Sequence, residues 1–150
     1  MTAHNNRVGR ESIVQRAGKL FTERGYQAVS IREIADACGV TNAALYYYFE
    51  NKSALYAEVI QQHARTLNET IRRAAAGAET YQSKITAMAK TYLEIVSDQR
   101  PLMNLIRIQK GDQDHLDLNK NIVDILKTVL SPFDEVIQAA GAAGEVEEFP

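Results

Sequence analysis

Apolar residues recur at helical spacing through most of the chain, in blocks separated by glycine, proline and short polar runs. Between Arg10 and Arg24, Ile13, Ala17, Leu20 and Phe21 mark one face with Val14 at its edge, and Gly25 follows as a C-terminal stop. From Ile31 the blocks shorten. Ile34, Cys38, Val40, Leu45 and Tyr48 fall where two short helices, near Ile31–Cys38 and Asn42–Phe49, can bury one shared face. Small Ala35 sits where the second must cross the first, and Gly39 stands at the turn, where a residue with φ > 0 costs nothing only for glycine. Ser30 and Thr41 each precede one of these helices with an oxygen able to accept an orphan N–H.

Longer helices follow. Asn51 caps one near Lys52–Ala76, with Leu55, Val59, His63, Leu67 and Ile71 on one face and Gly77 at its end. The next, near Thr80–Asp98, carries Ile85, Met88, Tyr92 and Val96. Pro101 opens a short helix to about Gln109, and a polar loop, Lys110–His115, leads to a last helix from about Asp117 to Ala140. Leu118, Ile122, Val123, Ile125, Leu126, Val129, Leu130, Phe133, Val136 and Ile137 cover most of its circumference, which predicts burial between partners. Ser131-Pro132 should kink or restart it, with Ser131 as a new cap. The expectation is an all-α chain: a three-helix, helix-turn-helix head in residues 1–51 behind a short disordered arm, and a helical body in residues 52–150.

Composition supports this and narrows the function. Among 150 residues there are three prolines and eight glycines, and no apolar run approaches the ~20 residues a membrane span needs. The first residues lack the apolar core of a signal peptide, and Cys38 is the only cysteine, so a reducing cytoplasm is expected. Net charge is −2, unevenly distributed. Through Arg65 eight basic residues (Arg7, Arg10, Arg16, Lys19, Arg24, Arg32, Lys52, Arg65) outnumber six acidic ones, which predicts a mildly basic head on an acidic body. His4, His63 and His115 stand singly, Cys38 lies on the apolar stripe, and no phosphate loop or paired carboxylates occur. No catalytic residue, metal site or cofactor is expected, and the chain does not read as an enzyme.

The second short helix and its exit, Asn42-Ala43-Ala44-Leu45-Tyr46-Tyr47-Tyr48-Phe49, then Asn51-Lys52 and Leu55, resemble the signature of TetR-family transcriptional regulators. Ile13, Ala17, Phe21, Gly25 and Tyr26 resemble that family's first helix and turn, so the likeness covers the first third of the chain. It implies a regulator, a repressor released from a palindromic operator in double-stranded DNA by a small-molecule effector. Asn42, Ala43 and Tyr47 would face base edges, Arg32 a base or a phosphate, and Ser30, Thr41, Tyr46 and Lys52 the phosphates. Tyr48, on the stripe beside Leu45, reads as core. Met88, Tyr92, Met103 and Arg107 are candidates for lining the effector pocket, although Met and aromatics at helical spacing are more often core. The resemblance also implies two further long dimerisation helices. The chain stops before them, so it reads either as a shortened form or as part of a longer chain, and its homodimer is expected to use the 117–140 helix instead. The alternative is a helical protein-interaction module, or a decoy that keeps the fold without operator activity.

Overall fold

The computed structural model describes residues 9–98 and 115–145, and for residues 98 and 115–122 only the backbone path. The described residues form helices α1 (Arg10–Arg24), α2 (Ile31–Cys38), α3 (Asn42–Tyr48), α4 (Lys52–Ala76), α5 (Tyr81–Asp98) and α6 (His115–Ala142), and no strand occurs among them. The expected all-α class is what the chain adopts. The expected helix from Pro101, the loop after it, the N-terminal arm and the side chains of Leu118 and Ile122 lie outside the described residues.

Two compact units divide the chain within α4, after Ile60. The first unit contains α1 to α3 and the opening turns of α4. Its buried apolar residues are Ile13, Val14, Ala17 and Phe21 from α1, Val29 before α2, and Ile34, Ala35 and Cys38 from α2. Leu45 and Phe49 come from α3 and its exit, and Leu55, Tyr56, Val59 and Ile60 from α4. The opening residues of α4 thus pack with the head, and the division into compact units falls inside α4. Two details differ from the sequence pattern. Val14 is buried and Leu20 only half-buried, and after Leu45 the buried aromatic is Phe49, with Tyr48 half-buried. The chain turns extended at Phe49, which rotates that side chain inward.

In the second unit Ala64, Leu67 and Ile71 of α4, Met88 of α5 and Val129 of α6 form the core, with Tyr92, Ile95, Ile125, Phe133 and Val136 packed on it. Ala64 takes the core place expected of His63, which is half-buried. Helix α5 opens with a reciprocal cap, the Ser83 N–H donating to Thr80 Oγ1 and the Thr80 N–H to Ser83 Oγ, each at 3.1 Å.

Helix α6 corrects two expectations. It runs through Pro132 without restarting, so Ser131 caps nothing. Proline lacks the N–H that would reach the carbonyl four residues back, here Thr128. Asn68 of α4 fills that gap: its Nδ2 donates to Thr128 O at 2.5 Å and to Ser131 Oγ at 3.0 Å. The Asn68 Oδ1 accepts from Arg72 Nε at 2.9 Å, and Arg72 forks onto both carboxylate oxygens of Glu135. The second correction concerns the apolar surface. Ile125, Val129, Phe133 and Val136 share the core side, and the exposed members are Val123, Leu126, Leu130 and Ile137.

Candidate nucleic-acid interface

Sequence-local chemistry fixes the helix pair. Ser30 and Glu33 form a capping box: the Glu33 N–H donates to Ser30 Oγ at 3.2 Å, and the Ser30 N–H donates to the Glu33 carboxylate at 2.8 Å. These bonds, together with Arg24 at 2.8 Å, hold the Glu33 carboxyl down at about 2. Helix α2 ends at Gly39 with φ 69 and ψ 32, the left-handed conformation expected there. The Val40 N–H reaches Ala35 O at 3.0 Å and the Gly39 N–H reaches Asp36 O at 3.1 Å, a Schellman pair. Thr41 then caps α3, accepting from the Ala44 N–H at 3.1 Å.

Three arginines of α1 lock this arrangement from behind. Arg10 donates to Tyr48 O, at the end of α3, at 2.7 Å, lies 4.3 Å from the centre of the Phe49 ring, and pairs with Glu58 at 3.3 Å. Arg16 donates to Ala37 O, at the end of α2, at 2.6 Å. Arg24 holds Glu33 and the Ala28 carbonyl at 2.7 Å. Each α1 arginine thus satisfies carbonyls that a helix end or turn leaves unpaired. The basic surplus of the head is accordingly not all free surface, which revises the charge argument. Nothing in the sequence distinguishes these arginines from solvated ones, because their partners lie up to 48 residues away.

What α3 leaves outside is a row of potential contacts. Asn42, Ala43, Tyr46 and Tyr47 are exposed, Tyr47 at 84% and Tyr46 at 51%, while Leu45 anchors the opposite side at 0%. The Tyr47 ring meets Tyr48 edge-on at 5.3 Å, so the half-buried Tyr48 supports the exposed one. Arg32, on α2, is exposed and forms no ion pair among the described residues. Asn51 caps α4, accepting from the Ala54 N–H at 2.7 Å, and Lys52 follows with its Nζ 4.1 Å from the centre of the Tyr26 ring.

Two hydroxyls expected at phosphates differ in availability. Glu33 is ionised and can only accept, so the 2.8 Å contact from Ser30 Oγ commits the Ser30 proton. The Thr41 oxygen accepts within its cap and keeps its own O–H to give. Cys38 is buried, which pushes its thiol up against a smaller opposing pull from Arg16, as suits a core residue.

The effector candidates lie elsewhere. Met88 is fully buried in the core of the second unit with Tyr92 packed beside it, while Met103 and Arg107 fall outside the described residues. An open groove of about 680 Å³ runs along α5 past Ile85, Ala89 and Leu93, and neither Met88 nor Tyr92 lines it. No group of His, Cys, Asp and Glu able to hold a metal occurs among the described residues, and no helix among them is long and apolar enough to cross a membrane.

Residues 13–59 match the bacterial regulatory proteins of the tetR family. The transcriptional activator FasR of Mycolicibacterium smegmatis is 31% identical over 80 residues, 53% of this chain and 36% of that one. The fatty acid metabolism regulator protein of Bacillus subtilis is 25% identical over 140 residues, 91% of this chain and 70% of its own. The chain therefore spans about a third of the first relative's length. The fold is that of the transcriptional regulator FadR from Bacillus subtilis in complex with stearoyl-CoA, with a TM-score of 0.72 at 20% identity, covering 95% of this chain and 76% of that one. The tetR match thus falls on the capped and braced helix-turn-helix, from within α1 to the opening of α4, and marks residues 13–59 as a head similar to those of the tetR family of bacterial regulators.

Proposed function

We propose that the chain is a DNA-binding transcriptional regulator, a repressor that a small-molecule effector releases from a palindromic operator. The carrying observation is the outward row of α3: Asn42, Ala43, Tyr46 and Tyr47 are exposed on a short helix whose other side is anchored by Leu45 and Phe49. Large exposed aromatics on a rigid element mark a binding surface. With α3 in the major groove, Asn42 bonds a base edge, Ala43 meets a thymine methyl and Tyr47 reaches a base. Arg32 takes a base or a phosphate. Tyr46, Thr41 and Lys52 hold phosphates and fix the register. Ser30 serves this surface through its cap, its proton being committed to Glu33.

The functional unit is a homodimer, because two half-sites engaged together multiply a weak single contact. Val123, Leu126, Leu130 and Ile137 stand exposed on α6 at intervals of three, four and seven, the spacing of a helix–helix seam. Lys127 and Asp134 border that seam, and two antiparallel copies bring these opposite charges together across it. Two heads must then sit roughly 34–36 Å apart to use successive grooves. A small molecule in the second unit that displaces Met88 and Tyr92 repacks α4 against α5. It releases DNA by favouring another arrangement of the heads. The stearoyl-CoA of the Bacillus subtilis structure makes a long-chain acyl-CoA the first effector to try.

The test is selection from a random duplex library with the full chain, followed by sedimentation of the bound species. The proposal expects an enriched palindrome with half-sites one helical turn apart, bound by two copies. Recovery of no motif, with a monomer that shifts no duplex, supports the interaction module or decoy instead.

A further inference from the structure

Lys52 occupies the first position of α4, where the positive end of the helix disfavours a cation. The fold offsets this with an aromatic face: its Nζ lies 4.1 Å from the centre of the Tyr26 ring, well inside cation–π range. That ring is itself held. Tyr26 lies 5.9 Å from Phe21 and 4.7 Å from Tyr56, and Phe21 meets Tyr56 edge-on at 5.1 Å. Phe21 and Tyr56 are both fully buried, so the platform under Lys52 is braced by α1 on one side and α4 on the other.

We propose that Tyr26 is a positioning residue for DNA binding: its ring face holds the Lys52 ammonium at the opening of α4, ready for a backbone phosphate. The inference rests on the reading of Lys52 as a phosphate contact. A lysine side chain carries much rotamer entropy, a large part of which a phosphate contact must otherwise remove. An ammonium restrained on a fixed ring gives up less of that freedom at the moment of binding.

The experiment is a fluorescence-anisotropy titration of the full chain on duplex DNA at several salt concentrations. Tyr26→Phe keeps the ring face and should keep the wild-type Kd. Tyr26→Leu should weaken binding about two- to fivefold, the range expected for an exposed cation–π contact. Its salt slope should stay unchanged, because the charge still reaches the phosphate. Lys52→Ala should lower that slope by about one. In the Lys52→Ala background, Tyr26→Leu should have no further effect. Equal weakening by Tyr26→Leu in both backgrounds would overturn the proposal in favour of a packing role. So would an intact affinity for Tyr26→Leu beside a weakened Lys52→Ala. A Lys52→Ala protein with wild-type affinity and slope removes the phosphate reading first, and the positioning role with it. If Tyr26→Leu does not fold, a pentafluorophenyl ring at position 26 keeps the packing and reverses the charge of the ring face. It should weaken binding as Tyr26→Leu does, and wild-type affinity with that ring refutes the proposal equally.

Discussion

Asn68 compensates a defect that Pro132 creates, and the two residues should therefore be energetically coupled. Asn68 Nδ2 gives Thr128 O its 2.5 Å bond, while Ser131 Oγ contributes a longer one at 3.2 Å. Asn68→Leu removes the first and leaves a part-buried carbonyl with the weaker donor. A net hydrogen bond is worth about 1 kcal/mol, and an incompletely satisfied carbonyl adds a similar amount, so the loss should be about 2 kcal/mol. In a Pro132→Ala background the residue at 132 has an N–H that can reach Thr128 O as in any helix turn. The orphan penalty then disappears, and Asn68→Leu should cost no more than about 1 kcal/mol, leaving a coupling of about 1 kcal/mol. Urea unfolding of the four full-length proteins, followed by far-UV circular dichroism with the m-values compared, measures this directly. Losses equal in the two backgrounds to within about 0.3 kcal/mol would refute the reasoning, since independent sites add to that accuracy.

Other consequences follow from single sites. At Gly39 an added Cβ meets nothing within 4 Å, so the cost of substitution is conformational alone. Gly39→Ala should lose about 1–2 kcal/mol, Gly39→Val more, and Gly39→Asn least, because Asn tolerates the left-handed region; a flat series in thermal melts would contradict the turn. The Tyr56 hydroxyl is buried without a hydrogen-bond partner, and burial pushes its pKa upward. Tyr56→Phe should therefore be neutral or stabilising, by up to about 1 kcal/mol, and a clear loss of stability would show that the hydroxyl has a partner. Glu33 is held at about 2 against an ordinary 4.5, chiefly by its bonds from Ser30, so its charged form stabilises the fold fully above about pH 4.5. That contribution drains as pH falls toward 2, and the melting gap between wild type and Glu33→Gln should close over the same interval. A gap independent of pH would mean that the box is not formed in solution.

The elements legible in the sequence were those whose cause is local. Ser30, Gly39, Thr41 and Asn51 mark caps and turns through their own chemistry, and all four do so in the structure. The apolar spacing located α4 from Lys52 to Ala76. What the spacing missed depends on distant partners. Tyr48 and Phe49 are adjacent, and the extended backbone at Phe49 decides which one turns inward. Pro132 reads as a break until Asn68, 64 residues earlier in the chain, supplies the donor that lets α6 continue. The exposed row on α3 was legible by resemblance, whereas the brace of Arg10 and Arg16 behind it was not, because a long-range cap leaves no periodic trace. The platform of Tyr26 under Lys52 belongs to the same class.

The exposed face of α3 is assigned to reading sequence, and one binding comparison tests that assignment most directly. Anisotropy titrations of wild type and Asn42→Ala should be run on the selected operator and on a scrambled duplex at one salt concentration. Removing the base-edge hydrogen bond of Asn42 should cost about 1–3 kcal/mol on the operator and leave the scrambled duplex nearly unchanged, so that the ratio between the two falls by about 5- to 150-fold. Equal weakening on both duplexes would place Asn42 at the backbone. Unchanged binding on both, with the fold intact, would contradict the assignment of α3 as the reading helix.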